Sequence, residues 1–170
     1  MIKYILMIAF FSLSIYIPVI LDDEEWNGYK VYANQYKWLS YSIFVTTVYN
    51  SKINNIDFND FLALIQSESN GDVYAISSSS ARGLSQIMPV HRKHAPEELY
   101  DIYLNIKLGS AYYAWCLRYT NYDKREALRI YNSGPFSNKY VYRNYEKYCD
   151  VIINNSNNTK NLVIPRIVVK

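Results

Sequence analysis

The sequence predicts a mainly α-helical domain behind an apolar N-terminal helix. Three observations predict it. Apolar residues recur at helical spacing in several stretches of the chain. Acids, Asn, Gly or Pro bound most of these stretches, at the places where helices start and stop. Strand-type alternation of domain size is missing, and there is no internal repeat. Length and composition agree: 170 residues, 50% apolar and 19% charged, suffice for one compact domain with terminal extensions.

The first segment reads MIKYILMIAFFSLSIYIPVILDDEE. Lys3 precedes an apolar run from Tyr4 to Leu21, and four acids follow. Residues 1–21 are therefore expected to be a secretory signal peptide or an N-terminal membrane anchor, with a buried core helix as the alternative. Such a run just spans a bilayer, and Lys3 on one side and the acids on the other set an N-in orientation. Pro18 interrupts it, and Ser12-Leu-Ser14 is a weak cleavage candidate. The expected location is outside the cytoplasmic membrane, in the periplasm or cell envelope, with membrane contact through residues 4–21.

Residues 22–55 form a helical lead-in. Trp38, Tyr41, Phe44, Val45 and Val48 place a helix over 33–50. SKINNID is a polar connector, and Asp57 or Asn59 caps the next helix, DFLALIQSES. Residues 69–81 are loop, because Ser, Asn, Gly and Asp dominate. A short helix is expected in ARGLSQIM, ended near Pro89. Pro96 and the acids after it can open a helix. A long helix follows over 102–119. DKREALRIYN starts on an acid and stops at Ser133-Gly134-Pro135. FSNKYVYRNYEKYCDVIIN supplies the last helix. The polar run 154–161 is expected to be flexible, within a C-terminal tail over 151–170 that ends in a β-prone stretch.

Charge narrows the function. A net charge of +3 without a clustered basic face excludes a nucleic-acid footprint, though it suits an anionic polymer. The 19 tyrosines accompany abundant Asn and Ile, so a single Tyr says little about sugar stacking. Cys116 and Cys149 can pair in an oxidising compartment or remain two buried thiols. Neither has metal-site spacing, and His91 and His94 read as loop residues.

Glu68 is the residue that points to chemistry. It closes an apolar helix, where burial and the negative end of the helix dipole both favour the protonated carboxyl. A proton held near neutral pH is what cleavage of a glycosidic bond requires. The plain alternative is a solvated Glu at a helix end.

Five ordered blocks favour the first reading: Glu68-Ser69, then Ser77, GLSQIMP at 83–89, NIKLGSAYY at 105–113 and ALRIYNSGP at 127–135. Together they resemble the SLT domain of the lytic transglycosylases, in the lysozyme-like superfamily, over residues 56–150. The resemblance implies a lysozyme-like helical domain with a catalytic groove. It implies that Glu68 is the single catalytic acid and base. Ser69 follows it as in that family; Ser77, Gln86, Tyr131 and Asn132 line the groove, and Met88 floors it. In this scheme Tyr131 donates a hydrogen bond to Glu68, while Gly109 and Tyr113 pack helices. Ser85 stands where Met is usual, exchanging an apolar groove contact for a hydroxyl, and Asp72 stands where Asn is common. The implied reaction cleaves peptidoglycan between MurNAc and GlcNAc with closure of a 1,6-anhydro ring, and needs no metal or cofactor. Two other readings stay open: a hydrolytic muramidase of the same fold, with Asp72 as a second carboxylate, and a non-catalytic glycan-binding or assembly module. Envelope-spanning secretion, conjugation or phage machinery are the partner classes that such an enzyme would serve.

Overall fold

The computed structural model describes residues 5–8, 17–20, 23–89, 94–137 and 145–162. Among the described residues six α-helices carry the fold: α1 (Asp23–Gln35), α2 (Tyr41–Asn54), α3 (Phe58–Ser69), α4 (Ile102–Tyr119), α5 (Lys124–Ser133) and α6 (Tyr145–Thr159), with a 3-10 helix at Pro96–Tyr100 before α4. Two short strands, β1 (Ile5–Ile8) and β2 (Ile17–Ile20), pair antiparallel with Ile5 opposite Ile20. The long apolar helix expected from Tyr4 to Leu21 is therefore not what the described part of that segment forms. Ile5, Ile8, Ile17, Val19 and Ile20 are β-branched and fit a strand, and Pro18 cannot donate the helical hydrogen bond. Among the described residues no helix is long and apolar enough to cross a membrane.

α3 is the central helix. Phe61, Leu62, Leu64 and Ile65 are all 0% exposed. Such a continuous apolar run cannot face water on any side, so neighbours enclose it. α6 packs along it most extensively, and α2 also lies against it. Its start is fixed by Asp57, whose Oδ1 accepts from the backbone N–H groups of Asn59 and Asp60 at 2.8 and 3.1 Å. Its end is fixed by Asn70, which takes the left-handed conformation at φ 53.

The single helix expected over 33–50 is two. The Ser40 hydroxyl accepts from Ile43 N–H at 3.3 Å and starts a new helix, so the chain turns between α1 and α2. The aromatic residues of this lead-in are core. Tyr32 meets Phe58 edge to face at 5.1 Å, and Tyr29 meets Tyr41 likewise at 5.3 Å.

The C-terminal polar run also departs from expectation. α6 continues to Thr159, with Ser156 and Thr159 buried. Asp60, 3% exposed on α3, explains it: Lys124 Nζ approaches its carboxylate at 2.6 Å and Ser156 Oγ donates to it. One buried acid thus ties three helices, and its charge is paired as burial demands. The β-prone stretch 163–170 lies outside the described residues, as does His91. His94 lies within hydrogen-bond distance of Glu98 Oε2, at 3.2 Å. Cys116 and Cys149 are separate buried thiols, pushed up by burial to about 12 and about 11. Neither is a ready nucleophile.

Candidate active site

Glu68 sits in the last turn of α3, half-buried. Ile65, one turn earlier, is fully buried, so the helix delivers the carboxyl from the core to the protein's edge. Burial pushes the Glu68 carboxyl up to about 7. The opposing influence is a hydrogen bond: Tyr148 Oη, on α6, donates to Glu68 Oε1 at 2.5 Å. Burial together with the nearby Glu68 carboxylate raises the phenol's own ionisation well above its ordinary range, so Tyr148 stays a donor.

Tyr148 is the residue that sequence reasoning misses, for the family resemblance gives the hydroxyl at Glu68 to Tyr131. Tyr131 Oη instead donates to Ser85 C=O at 2.8 Å. The only signal in the sequence was Tyr148 lying one turn before the buried Ile152, on a helix expected to pack against the domain.

The segment after Glu68 closes on itself. Ser69 Oγ donates to Ile65 C=O at 3.2 Å and accepts from Gly71 N–H at 3.1 Å, finishing the helix. Trp38 from the lead-in lies over Gly71, where a Cβ would fall 2.2 Å from the indole, and its Nε1 donates to Gln66 Oε1. Asp72 is exposed and its Oδ1 accepts from Tyr74 N–H at 2.8 Å, a turn that holds the loop. Ser77 Oγ accepts from Ala81 N–H at 3.0 Å.

The helix expected in ARGLSQIM is absent. Arg82 bridges to both Ile76 and Ile87 in antiparallel fashion, and Gly83 and Gln86 both have positive φ, 70 and 49. A helix cannot contain those angles. The backbone groups left over are satisfied from α4. Asn105 Oδ1 accepts from Ser85 N–H at 2.7 Å, and its Nδ2 donates to Leu99 C=O at 2.7 Å and Arg82 C=O at 2.9 Å. Gly83 is required here, since a Cβ would lie 2.5 Å from Leu99 O.

Ser85 is no groove contact. It is 0% exposed, its hydroxyl has no hydrogen-bond partner among the described residues, and a Cβ on Gly109 would lie 2.4 Å from its own Cβ. Gly109 thus makes room for Ser85 and for the Tyr131 hydroxyl. Tyr113 stacks on Phe61 at 6.3 Å, so it too is packing. Gln86 Nε2 donates to Gly83 C=O at 3.0 Å, which holds its amide across the turn. Met88 is half-buried and Asn132 exposed. The structure therefore joins Glu68 to α6 and joins Tyr131, Ser85 and Gly109 to one another. Ser69 and Ser77 serve their own turns.

A half-buried carboxyl that keeps its proton near neutrality, with a phenol to receive its charge, is equipped to protonate a leaving oxygen and then act as a base. Comparison with known proteins gives the family and the fold. The family model described as the transglycosylase SLT domain matches residues 47–152. Among solved structures, the X-ray structure of an inactive mutant of lytic transglycosylase Slt from Pseudomonas aeruginosa superposes with a TM-score of 0.63 at 20% identity. That match covers 74% of this chain and 25% of the Slt chain, so this chain corresponds to about a quarter of that protein.

Proposed function

Because the chain belongs to the transglycosylase SLT domain family, we propose that it is a peptidoglycan lytic transglycosylase in which Glu68 is the single general acid and base. The observation that carries the reading is the Glu68 carboxyl, half-buried at the end of α3 and pushed up to about 7. Glu68 gives its proton to the glycosidic oxygen as the bond between MurNAc C1 and the GlcNAc oxygen breaks. The cation at C1 is met by the N-acetyl oxygen of the same sugar. Glu68, now a carboxylate, takes the proton of the 6-hydroxyl as that oxygen bonds to C1. The products are a GlcNAc hydroxyl end and a 1,6-anhydro-MurNAc end, with Glu68 protonated again. A retaining glycosidase would use a second carboxylate. The capping turn at Asp72 supports the single-acid route, since that carboxylate is committed to its own loop.

Gln86, Met88 and Asn132 are the groups proposed to meet the glycan, with Ser77 and Tyr131 holding the walls they stand on. The apolar run from Tyr4 to Leu21 supports export to the cell envelope, as a cleaved signal or a retained anchor, and an envelope-spanning machine is the partner class that fits a domain of this size.

Glu68→Gln tests the assignment. Release of soluble muropeptides from purified sacculi should fall by about 10²–10⁴ with unchanged circular dichroism. Loss of less than about tenfold would overturn it.

A further inference from the structure

We infer that Trp38 is a positioning residue for the candidate groove: from the lead-in, its indole holds the loop between Glu68 and Gln86, and with it the spacing at which those two groups meet the glycan. The inference rests on the reading of Glu68 as the acid and of Gln86 as a glycan contact. Trp38 lies outside residues 47–152, the stretch that the family model matches, so the family match does not account for it.

The indole occupies the space that a side chain at position 71 would need. Gly71 has a φ of 76, a left-handed value that glycine adopts without strain, and a Cβ there would collide with the ring carbons of Trp38. Trp38 Nε1 donates to Gln66 Oε1, and Gln66 Nε2 donates to Asn70 Oδ1. Asn70 is the left-handed residue that ends α3. One side chain therefore reaches both the last turn of α3 and the loop beyond its end, with Glu68 between the two. Trp38 is itself fixed. Leu39 beside it is buried, Tyr36 meets the indole near edge-on at 5.6 Å, and Tyr29 Oη donates to Leu39 C=O at 3.1 Å.

The loop carries the constraint on to Gln86. Asp72 N–H donates to Ser69 C=O at 3.0 Å, and Ala75 N–H donates to Asp72 C=O at 3.3 Å. Ala75 C=O then accepts from Gly83 N–H at 2.9 Å and from Gln86 Nε2 at 3.4 Å. A hydrogen-bonded path thus runs from the end of α3, past the indole, to the amide proposed to meet the sugar. Glu68 takes its raised titration from burial, opposed by its hydrogen bond to α6. Trp38 therefore acts on the binding side of the site rather than on the acid, and its loss should appear in KM.

The experiment measures kcat and KM on solubilised glycan strands for the full chain, Trp38→Ala and Trp38→Phe. Glu68→Gln is the inactive control, and circular dichroism checks folding. Trp38→Ala should raise KM about five- to tenfold, the worth of one hydrogen bond, and leave kcat and its alkaline pH limb in place. Trp38→Phe keeps a ring over Gly71 and should stay within about threefold of the parent KM. A merely structural role predicts the reverse: a smaller folded fraction lowers kcat per mole of chain and leaves KM where it was. If Trp38→Ala unfolds, Gly71→Ala decides, because its Cβ displaces the indole from the loop and must raise KM in the same way. An unmoved KM in the folded variant overturns the role of Trp38, while Glu68 keeps its assignment if Glu68→Gln is inactive. Turnover surviving in Glu68→Gln overturns the reading of the site, and this inference with it.

Discussion

In the proposed mechanism Glu68 links function to stability through one proton. Its carboxyl titrates at about 7 when folded, against 4.5 as the ordinary value. The folded protein therefore holds that proton more tightly than the unfolded chain does. Between about pH 4.5 and 7 the folded state carries more protons, so stability falls as pH rises through this window and levels off above it. Glu68→Gln removes the cost while keeping an oxygen that can accept from Tyr148. The variant should be more stable than the parent at pH 8 by about 1–2 kcal/mol, with the gain disappearing at pH 4. Urea melts at the two pH values measure it. A gain that is equal at both would deny the raised carboxyl. The place of Glu68 at the end of a buried helix was legible from the sequence through helix phase, while its reading as the acid came from the ordered blocks around it. Its partner Tyr148 was not, because the contact is made by tertiary packing of α6 on α3, and local pattern carries no record of which hydroxyl reaches a given acid.

At the scale of elements, caps and punctuation carried most of the information. Asp57, Asp101 and Asp123 accept backbone N–H groups at the starts of α3, α4 and α5, where acids before apolar runs predict helices. The segment 82–89 misled because its residues have adequate helix propensity, whereas its conformation is set from outside by Asn105 and by the tight approach at Gly83. Asn105 is 1% exposed and offers both ends of its amide to this loop and to Leu99. Asn105→Ala should leave the Ser85 N–H and the Leu99 C=O without the amide, while the Arg82 C=O keeps the Ile87 N–H, and cost about 2–4 kcal/mol. Thermal melting would check this, and sacculus digestion should weaken as well, because Gln86 and Met88 ride on the same loop. A loss below about 0.5 kcal/mol would mean that water replaces the amide.

For the whole molecule, the helical domain extends beyond the blocks that announced it. The blocks placed the domain at 56–150, yet Tyr32, Phe44 and Phe58 form one aromatic cluster across α1, α2 and α3. Tyr32 Oη also donates to Asn59 Oδ1 at 2.9 Å and reaches Leu162 C=O at 3.3 Å, so the lead-in and the end of the described chain close over the same core. Polar composition hid the second of these, because Ser156 and Thr159 look like surface residues until Asp60 and the turn above them supply partners. The consequence for the proposed function is rigidity: Glu68 stands on a helix enclosed by the rest of the fold, which suits an acid that must meet a bond within hydrogen-bond distance. The most direct test of the single-acid mechanism is the mass of the muropeptides released from sacculi. Ends lighter by about 18 Da than reducing ends, the loss of one water, are predicted, and they should vanish with Glu68→Gln. Reducing ends in their place would contradict the account and show that water, activated by a second base, completes the reaction.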